Sequence, residues 1–120
     1  MLKSKLLSRI NYSRKFVRSS GMTSGNEYKI TLSYNGNKAS FVFHDNYENK
    51  STLVDWLECL LLDMGAYEFC HDVDEFAREY GYEPSEYVKA SKAYLACKKT
   101  AEKLHRLFTD DELDILSEIE

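Results

Sequence analysis

The sequence of 120 residues has one proline and three cysteines, and it lacks any long run of apolar residues. No apolar run approaches the roughly 20 residues that a membrane-spanning helix needs, so we expect no membrane contact. Cys59, Cys70 and Cys97 are odd in number, lack C-x-x-C spacing and follow no secretory signal. Cysteines of this kind are typical of reduced, buried thiols and predict a cytoplasmic protein.

Catalytic signatures are also missing. The chain contains no G-x-G-x-x-G, G-x-x-x-x-G-K-[ST], G-x-S-x-G or H-E-x-x-H motif. Cys70, His71 and Asp72 offer a nucleophile, a base and a carboxylate, but side chains of consecutive residues project in different directions and form no triad by themselves. The spacings of Cys and His match no zinc site. We therefore predict that the chain is not an enzyme and holds no metal or other cofactor.

The rest of the composition is that of one folded domain. Hydrophobic residues make up 43% and aromatic residues 13% of the chain, which favours a folded protein over a disordered one. A chain of 120 residues is long enough for a single core. We place a single α+β domain at residues 26–120, after a basic leader and linker at residues 1–25. SSGMTSG at the end of that leader is typical of a linker.

Three interpretations of the leader are open. Its apolar residues recur at spacings that place them along one side of a helix: Leu2, Leu6, Ile10 and Val17. The segment is rich in Arg and Ser and free of acids, which is typical of an organelle transit peptide and also of a basic arm. In the third interpretation Met22 is the natural start, and the residues before it are not native.

Charge is distributed in blocks along the chain, although the formal net charge is only −4. Residues 1–25 hold six cations and no acid, and residues 65–83 hold six acids and one cation. Residues 84–108 hold six cations and two acids, and residues 109–120 hold six acids and no cation. Such blocks either neutralise one another in the folded protein or present charged surfaces to partners.

The segments EYKITLSY and KASFVFH alternate strictly and predict a β-hairpin around Asn35-Gly36, whose two turn positions need positive φ. A two-residue turn pairs Tyr34 with Asn37. The register then places six apolar side chains on one face: Tyr28, Ile30, Leu32, Ala39, Phe41 and Phe43. No other segment reads as a strand, so both edges of the hairpin are expected to be covered by helices, by a partner strand or by a second copy in a homodimer.

A helix is predicted over the apolar segment STLVDWLECLLLDMG. Thr52 and Asp55 resemble a capping pair at its start, and Gly65 is its predicted end. We expect Trp56 to be the central residue of the core, because a hairpin alone is marginal in water and needs an apolar cover.

Three further helices follow in the prediction. A short helix begins after Asp72, buries Phe76 and Tyr80, and ends at Gly81. A long helix covers about residues 84–107, with Pro84 in its first turn. Thr109-Asp110-Asp111-Glu112 is a capping box that opens a terminal helix bearing Leu113, Leu116 and Ile119. The predicted fold class is therefore α+β, with an N-terminal β-hairpin packed against a bundle of three to four helices.

The long helix carries two stripes on different sides. The apolar stripe is expected to face the core and comprises Tyr87, Ala90, Tyr94, Cys97, Ala101, Leu104 and Phe108. The basic stripe comprises Lys89, Lys92, Lys99, Lys103 and Arg106. It is a candidate nucleic-acid-binding surface. We favour the alternative that the acids of residues 109–120 fold back beside Lys99, Lys103 and Arg106 and neutralise them.

Two clusters of acids at predicted helix starts are the candidate partner-binding surface. The first cluster comprises Asp72, Asp74, Glu75, Glu79 and Glu83. The second cluster comprises Asp110, Asp111, Glu112 and Asp114. Rows of carboxylates imitate the phosphates that a basic groove accepts. In the simpler alternative, these acids favour helix N-termini and keep the surface soluble.

The hairpin, the tryptophan-bearing helix and the long helix together resemble a group of small proteins that phages and plasmids of Gram-positive bacteria encode. The resemblance covers about residues 27–116. Its most recognisable parts are YKITLSYNGNKASFVF, FAREYGY and AYLACKKTAEKLHRLF. None of these segments is a catalytic motif, and several proteins of this group are anti-CRISPR proteins that block type II effectors.

The resemblance implies a stoichiometric inhibitor that binds a Cas9 effector in the cytoplasm of the bacterial host. Such an inhibitor hinders guide RNA loading or target DNA binding. The channels of the effector are strongly positive, so an acidic ligand is steered toward them. The two acidic clusters are then the first candidates for contact, with exposed tyrosines as anchors. The alternative is a small nucleic-acid-binding accessory or regulatory protein that uses the basic leader and the basic stripe.

Overall fold

Three strands and five α-helices make up the fold in the computed structural model, which describes residues 1–19, 26–45 and 52–118. In chain order the elements are α1 (Lys3–Ser8), β1 (Asn11–Ser19), β2 (Asn26–Tyr34), β3 (Asn37–Asp45), α2 (Leu53–Glu68), α3 (Val73–Glu79), a 3-10 turn (Pro84–Glu86), α4 (Tyr87–Leu107) and α5 (Asp110–Leu116). The strands form one antiparallel sheet in the order β1-β2-β3. The predicted α+β class is confirmed.

The predicted hairpin is confirmed in its turn and in its register. Asn35 and Gly36 have φ angles of 50° and 83°, as a two-residue hairpin turn requires. Tyr34 lies opposite Asn37, and every apolar pair of the predicted inner face is formed. On the outer face, the hydroxyls of Thr31 and Ser40 are 2.9 Å apart.

The first nineteen residues belong to the fold, which corrects their interpretation as a separate leader. β1 pairs with β2 from Asn11, opposite Ser33, to Ser19, opposite Asn26. Leu6 of α1 is fully buried in the main core. The physical reason is that a two-stranded hairpin is marginal by itself and gains stability from a third strand. The predicted linker at residues 20–25, including Met22, lies outside the described residues.

The main core lies between the inner face of the sheet and the helices. Its largest contributions come from Ile30, Leu32 and Phe41 of the sheet, Trp56, Leu57 and Leu60 of α2, and Leu104, Leu107 and Phe108 at the end of α4. This core also includes Leu6 of α1 and Leu113 and Leu116 of α5. Trp56 is buried in this core, but the fully buried large side chains are Leu6, Ile30, Leu32 and Leu104, so its predicted central position is not confirmed.

α2 begins as predicted and ends later than predicted. Thr52 and Asp55 form a capping box. The helix continues past Gly65 to Glu68, so the predicted stop is wrong. Packing overrides the weak helix propensity of glycine here, because Ala66 is buried and the ring of Tyr67 packs 5.2 Å from that of Tyr94.

α3 sits over a second, smaller core. Cys70 and Phe76 are buried there with Ala66, and the ring of Tyr94 lies 5.4 Å from that of Phe76. Asp72 caps α3 as predicted, since its Oδ1 accepts the Glu75 amide at 2.9 Å. Tyr80 contacts Phe76 but is 52% exposed, which corrects its predicted burial.

The apolar stripe of α4 is confirmed over most of its length. Ala90, Ala101 and Leu104 are buried. Tyr87 is 51% exposed, so its predicted place in the stripe is wrong, because it stands at the first residue of the helix, beside the 3-10 turn. Leu107 is buried as well, since a repeat of 3.6 residues widens the apolar face toward the sheet. α5 opens with the predicted capping box, and Ile119 lies outside the described residues.

The two edges of the hairpin have different neighbours, whereas the sequence did not determine what covers either edge. β1 occupies the β2 edge. At the β3 edge, Nζ of Lys103 donates a hydrogen bond of 2.6 Å to the carbonyl oxygen of Ser40, so α4 lies beside this strand. Within the described ranges the outer edge of β1 has no neighbouring strand. In the same part of the chain, no helix combines the length and the apolar character needed to cross a membrane.

Candidate functional site

Four cations from two elements come together beside the β3 edge. Lys99, Lys103 and Arg106 lie on one side of α4, because spacings of four and three residues return to the same helical face. Lys29 of β2, opposite Val42 of β3, lies near enough for its charge to act on Lys103. Burial lowers the pKa of Lys103, and the positive charges of Arg106, Lys99 and Lys29 lower it further. We name these four residues the α4–sheet cation cluster.

The α4–sheet cation cluster is not neutralised by the C-terminal acids, so the favoured prediction of internal pairing is wrong. Among the described residues, no carboxylate lies within 4.0 Å of a nitrogen of these four side chains. The reason is that α5 packs against α1 and buries Leu113 and Leu116 in the core, which directs the acids elsewhere. Lys103 instead bonds to the Ser40 carbonyl and lies 5.2 Å from the centre of the Phe41 ring.

The first half of the predicted basic stripe is less available than the second. Nζ of Lys89 lies 3.9 Å from Oε2 of Glu86, one turn earlier. Lys92 is exposed on the same side of α4. The positive charge is thus concentrated toward the end of the helix, where cations also interact favourably with the helix dipole.

A cleft of about 500 Å³ adjoins the cluster between the end of α2 and α4. Lys99, Lys103 and Arg106 line one part of it, and Tyr67 and Glu68 line another. The carboxylate of Glu68 lies 2.6 Å from Nε2 of His105. Glu102 of α4 also lines the cleft, so its α4 side presents one carboxylate together with the three cations.

The outer face of the sheet extends the positive surface. Lys15 of β1 lies directly opposite Lys29 of β2. Both are exposed, and like charges at opposed positions destabilise a sheet. Further along this face, Arg18 contacts Glu27 at 2.6 Å. Alternation in the predicted hairpin already implies that Lys29 faces away from the apolar side, but Lys15 was not placed, because β1 was not recognised as a strand.

The first acidic cluster is partly used to start α3. Asp72 caps the helix, and Oε2 of Glu75 accepts the His71 amide at 3.0 Å. The other three members are exposed: Asp74, Glu79 and Glu83. Among the described residues none of these three has a cation within 4.0 Å.

The second acidic cluster divides in the same way. Glu112 closes the capping box of α5 and accepts a hydrogen bond from the Tyr34 hydroxyl. Desolvation by itself would raise the pKa of Glu112, but the hydrogen bonds from Thr109 and Tyr34 outweigh it and lower that pKa. Oδ1 of Asp110 lies 3.4 Å from Nδ1 of His105, whereas Asp111 and Asp114 are exposed.

The structure does not bring the two acidic clusters together. α3 packs against α4, and α5 packs against α1. Each cluster therefore presents its own small group of carboxylates without a cation partner among the described residues: three on and after α3, and two on α5. A single continuous acidic face is not formed by the predicted residues.

The Cys70-His71-Asp72 segment is used structurally. Burial raises the pKa of the Cys70 thiol, and the negative charges of Glu75, Glu79 and Asp72 raise it further. A thiol in these surroundings is not activated as a nucleophile. Cys97 is half-buried, and Cys59 is exposed. In the described part of the chain, no three His, Cys, Asp or Glu side chains are arranged to hold a metal ion.

No protein-family model matches the chain, and no curated protein or solved structure is significantly similar to it.

Proposed function

We propose that this chain is a small nucleic-acid-binding accessory or regulatory protein whose α4–sheet cation cluster contacts phosphates. The observation that carries the proposal is that four cations share one surface with no carboxylate partner among the described residues. Cations held close together repel one another, and a phosphate backbone reduces that repulsion. Phosphate contacts of this kind supply most of the affinity in non-specific binding.

The net charge of −4 does not prevent such binding. Exposed charges are screened over about 8 Å at physiological ionic strength, so the local cations decide the contact. The free carboxylates of α3 and α5 lie outside the cluster. With few phosphate contacts, we expect a dissociation constant of about 10⁻⁴ to 10⁻⁶ M at physiological salt, and tighter binding at lower salt.

The test is fluorescence anisotropy with labelled DNA and RNA over a range of salt concentrations starting near 50 mM. The variant Lys99→Gln/Arg106→Gln removes two exposed cations and leaves Lys103, which has a structural bond, in place. We expect weaker binding and a salt slope that falls by about 0.9 for each lost duplex contact.

A matched control is Lys89→Gln/Lys98→Gln, which removes the same net charge from the same helix outside the cluster. The control should bind within about twofold of the unmodified protein, since its net charge changes equally and only the position differs. Binding that is absent near 50 mM salt, or that falls equally in both variants, would contradict the proposal.

A second candidate function is the one that the family resemblance implies, a stoichiometric anti-CRISPR-type inhibitor of a Cas9 effector. It is favoured by five members of the two acidic clusters that are exposed and have no cation within 4.0 Å among the described residues: Asp74, Glu79, Glu83, Asp111 and Asp114. Acidic groups of this kind suit the positive channels of an effector that holds a heteroduplex.

Co-purification with Cas9 proteins, with and without guide RNA, followed by a DNA cleavage assay, tests the second candidate. Asp74→Asn/Glu79→Gln/Glu83→Gln and Asp111→Asn/Asp114→Asn remove the free acids of one cluster at a time. A loss of inhibition in one variant would assign the contact surface. Undiminished cleavage and no complex across several type II effectors would remove this candidate.

A further inference from the structure

An alternating row of aromatic and cationic side chains lies on the inner face of β1. Tyr12, Arg14 and Phe16 lie opposite Leu32, Ile30 and Tyr28 of β2, so they face the same side as the core of the sheet. Tyr12 is 54% exposed and Phe16 is 53% exposed, although both are large apolar side chains on the core side. The helices therefore stop short of this strand. We name Tyr12, Arg14, Phe16 and Tyr28 the β1 aromatic strip.

The side chains of the β1 aromatic strip are held in place by one another. The rings of Tyr12 and Trp56 are 5.3 Å apart at 76°, and those of Phe16 and Tyr28 are 5.6 Å apart at 71°. The guanidinium of Arg14 lies 4.2 Å from the centre of the Tyr28 ring. Edge-on rings and a stacked guanidinium are favourable arrangements, and here the guanidinium covers one face of the Tyr28 ring. The ring surface that the strip offers to a ligand is therefore that of Tyr12 and Phe16, which are about half exposed.

The charge around the strip selects the kind of ligand. On the outer face of β1, Lys15 lies opposite Lys29, which belongs to the α4–sheet cation cluster. Lys15 therefore extends the positive surface to β1. The three strands of the sheet span only about 10 Å from β1 to β3, because neighbouring strands are about 4.8 Å apart. One extended polyanion can therefore contact the cations of the outer face and reach the strip at the β1 edge. A purely apolar ligand would leave the cations unused.

We propose that the β1 aromatic strip stacks the bases of a single-stranded nucleic acid while the α4–sheet cation cluster and Lys15 contact its phosphates. This inference rests on the proposed function and narrows its ligand to unpaired strands. Aromatic rings and Arg planes stack on bases regardless of sequence, whereas the bases of a duplex are stacked on one another and are not available. The bulge of β1 between Phe16 and Arg18 directs this end of the strand away from regular pairing, which disfavours a second copy at the same edge.

The experiment compares a labelled single-stranded oligonucleotide of mixed sequence with the duplex of the same sequence, both near 50 mM salt. Phe16→Ala should weaken single-strand binding by about 5- to 150-fold, which is the usual range for losing one stacked base. Its duplex affinity should stay within about twofold, and Phe16→Trp should restore single-strand binding. Phe69→Ala is the control, because Phe69 is an 84% exposed ring at the end of α2, outside the sheet.

The outcomes separate this inference from the proposed function. If Phe16→Ala leaves single-strand binding unchanged while Lys99→Gln/Arg106→Gln weakens it, the strip has no stacking role and the cation cluster keeps its own. If the unmodified protein binds neither oligonucleotide, both proposals are wrong. Sedimentation of the free protein completes the test: a dimer that Phe16→Ala converts to a monomer would assign the strip to self-association and overturn the inference.

Discussion

The two edge strands of the sheet have the same length and the same central partner, yet only one of them is built into the core. Phe41 of β3 and Phe16 of β1 are both on the inner face, but Phe41 is 5% exposed and Phe16 is 53% exposed. On the β3 side, α4 packs beside the strand and supplies the Lys103 bond to Ser40. On the β1 side, every side chain from Asn11 to Arg18 is exposed.

The comparison shows that burial of an apolar residue depends on which element covers it, not on its residue type or its place in a sheet. One edge strand is built into the core, and the other leaves aromatic and cationic groups exposed. Sheets with one covered edge and one open edge are common sites of added partners. The following predictions test whether this division between stability and binding is real.

The largest expected effect is the difference between two identical substitutions, Phe41→Ala and Phe16→Ala. Phe41→Ala leaves a cavity in the main core and should lower the free energy of unfolding by about 3–5 kcal/mol. Phe16→Ala removes a half-exposed ring and should cost about 1 kcal/mol, because little apolar area is lost from the core. Urea denaturation followed by circular dichroism measures both. Equal costs would show that β1 is as deeply packed as β3.

A second pair of substitutions tests whether the N-terminal segment is part of the fold. Leu6 is fully buried, and Leu2, four residues earlier, is 74% exposed. Leu6→Ala should therefore cost about 2–5 kcal/mol, and Leu2→Ala should change stability by less than about 0.5 kcal/mol. A Leu6→Ala variant with an unchanged midpoint would restore the interpretation of these residues as a separate leader.

The fold on the β3 side could be predicted because local signals and periodicity agree there. Asn35-Gly36 fixes the turn, the alternation fixes the faces, and Thr52 and Thr109 mark helix starts. β1 was missed because its cations interrupt the apolar pattern that marks a strand. Since an exposed edge strand buries little, its sequence needs no strong alternation, although Tyr12, Arg14 and Phe16 carry a weak one.

The candidate site was only partly predictable for a different reason. Helical spacing alone places Lys99, Lys103 and Arg106 on one face of α4. Their association with Lys29 depends on how α4 lies against β3, which no local pattern encodes. The positions of the C-terminal acids depend on the packing of α5 against α1. This tertiary contact prevents the ion pairs that proximity in sequence had suggested.

A smaller effect on stability is expected at the contact between Tyr34 of the hairpin and Glu112 of α5. Glu112→Gln keeps the capping box but removes the charge that accepts the Tyr34 hydroxyl, which should cost about 1 kcal/mol at neutral pH. The pKa of Glu112 is lowered in the folded protein, so its contribution is complete above the ordinary value of 4.5 and is lost as pH falls through the folded value. The difference between the variant and the unmodified protein should therefore shrink in acid.

Asp111→Asn is the matched control, because Asp111 is the exposed neighbour of Glu112 in the same helix turn. It should show no comparable loss at neutral pH and no acid-dependent difference in its urea midpoint. If Glu112→Gln costs the same in acid, below the lowered folded pKa of Glu112, as it does at neutral pH, the Tyr34 contact does not depend on the carboxylate charge.

The smallest expected effect concerns the opposed cations on the outer face of the sheet, Lys15 and Lys29. Lys15→Gln removes the repulsion between Lys15 and Lys29 and should raise the free energy of unfolding by about 0.2–1 kcal/mol at low salt. Sulfate or phosphate should raise the melting temperature of the unmodified protein more than that of the variant, since an anion bridges the pair only where both lysines are present. Lys5→Gln, an exposed cation of α1, controls for net charge. A Lys15→Gln variant that is less stable and responds to anions as the unmodified protein does would contradict this prediction. The two lysines would then not repel each other measurably, and the outer face would be no better a phosphate site than the rest of the surface.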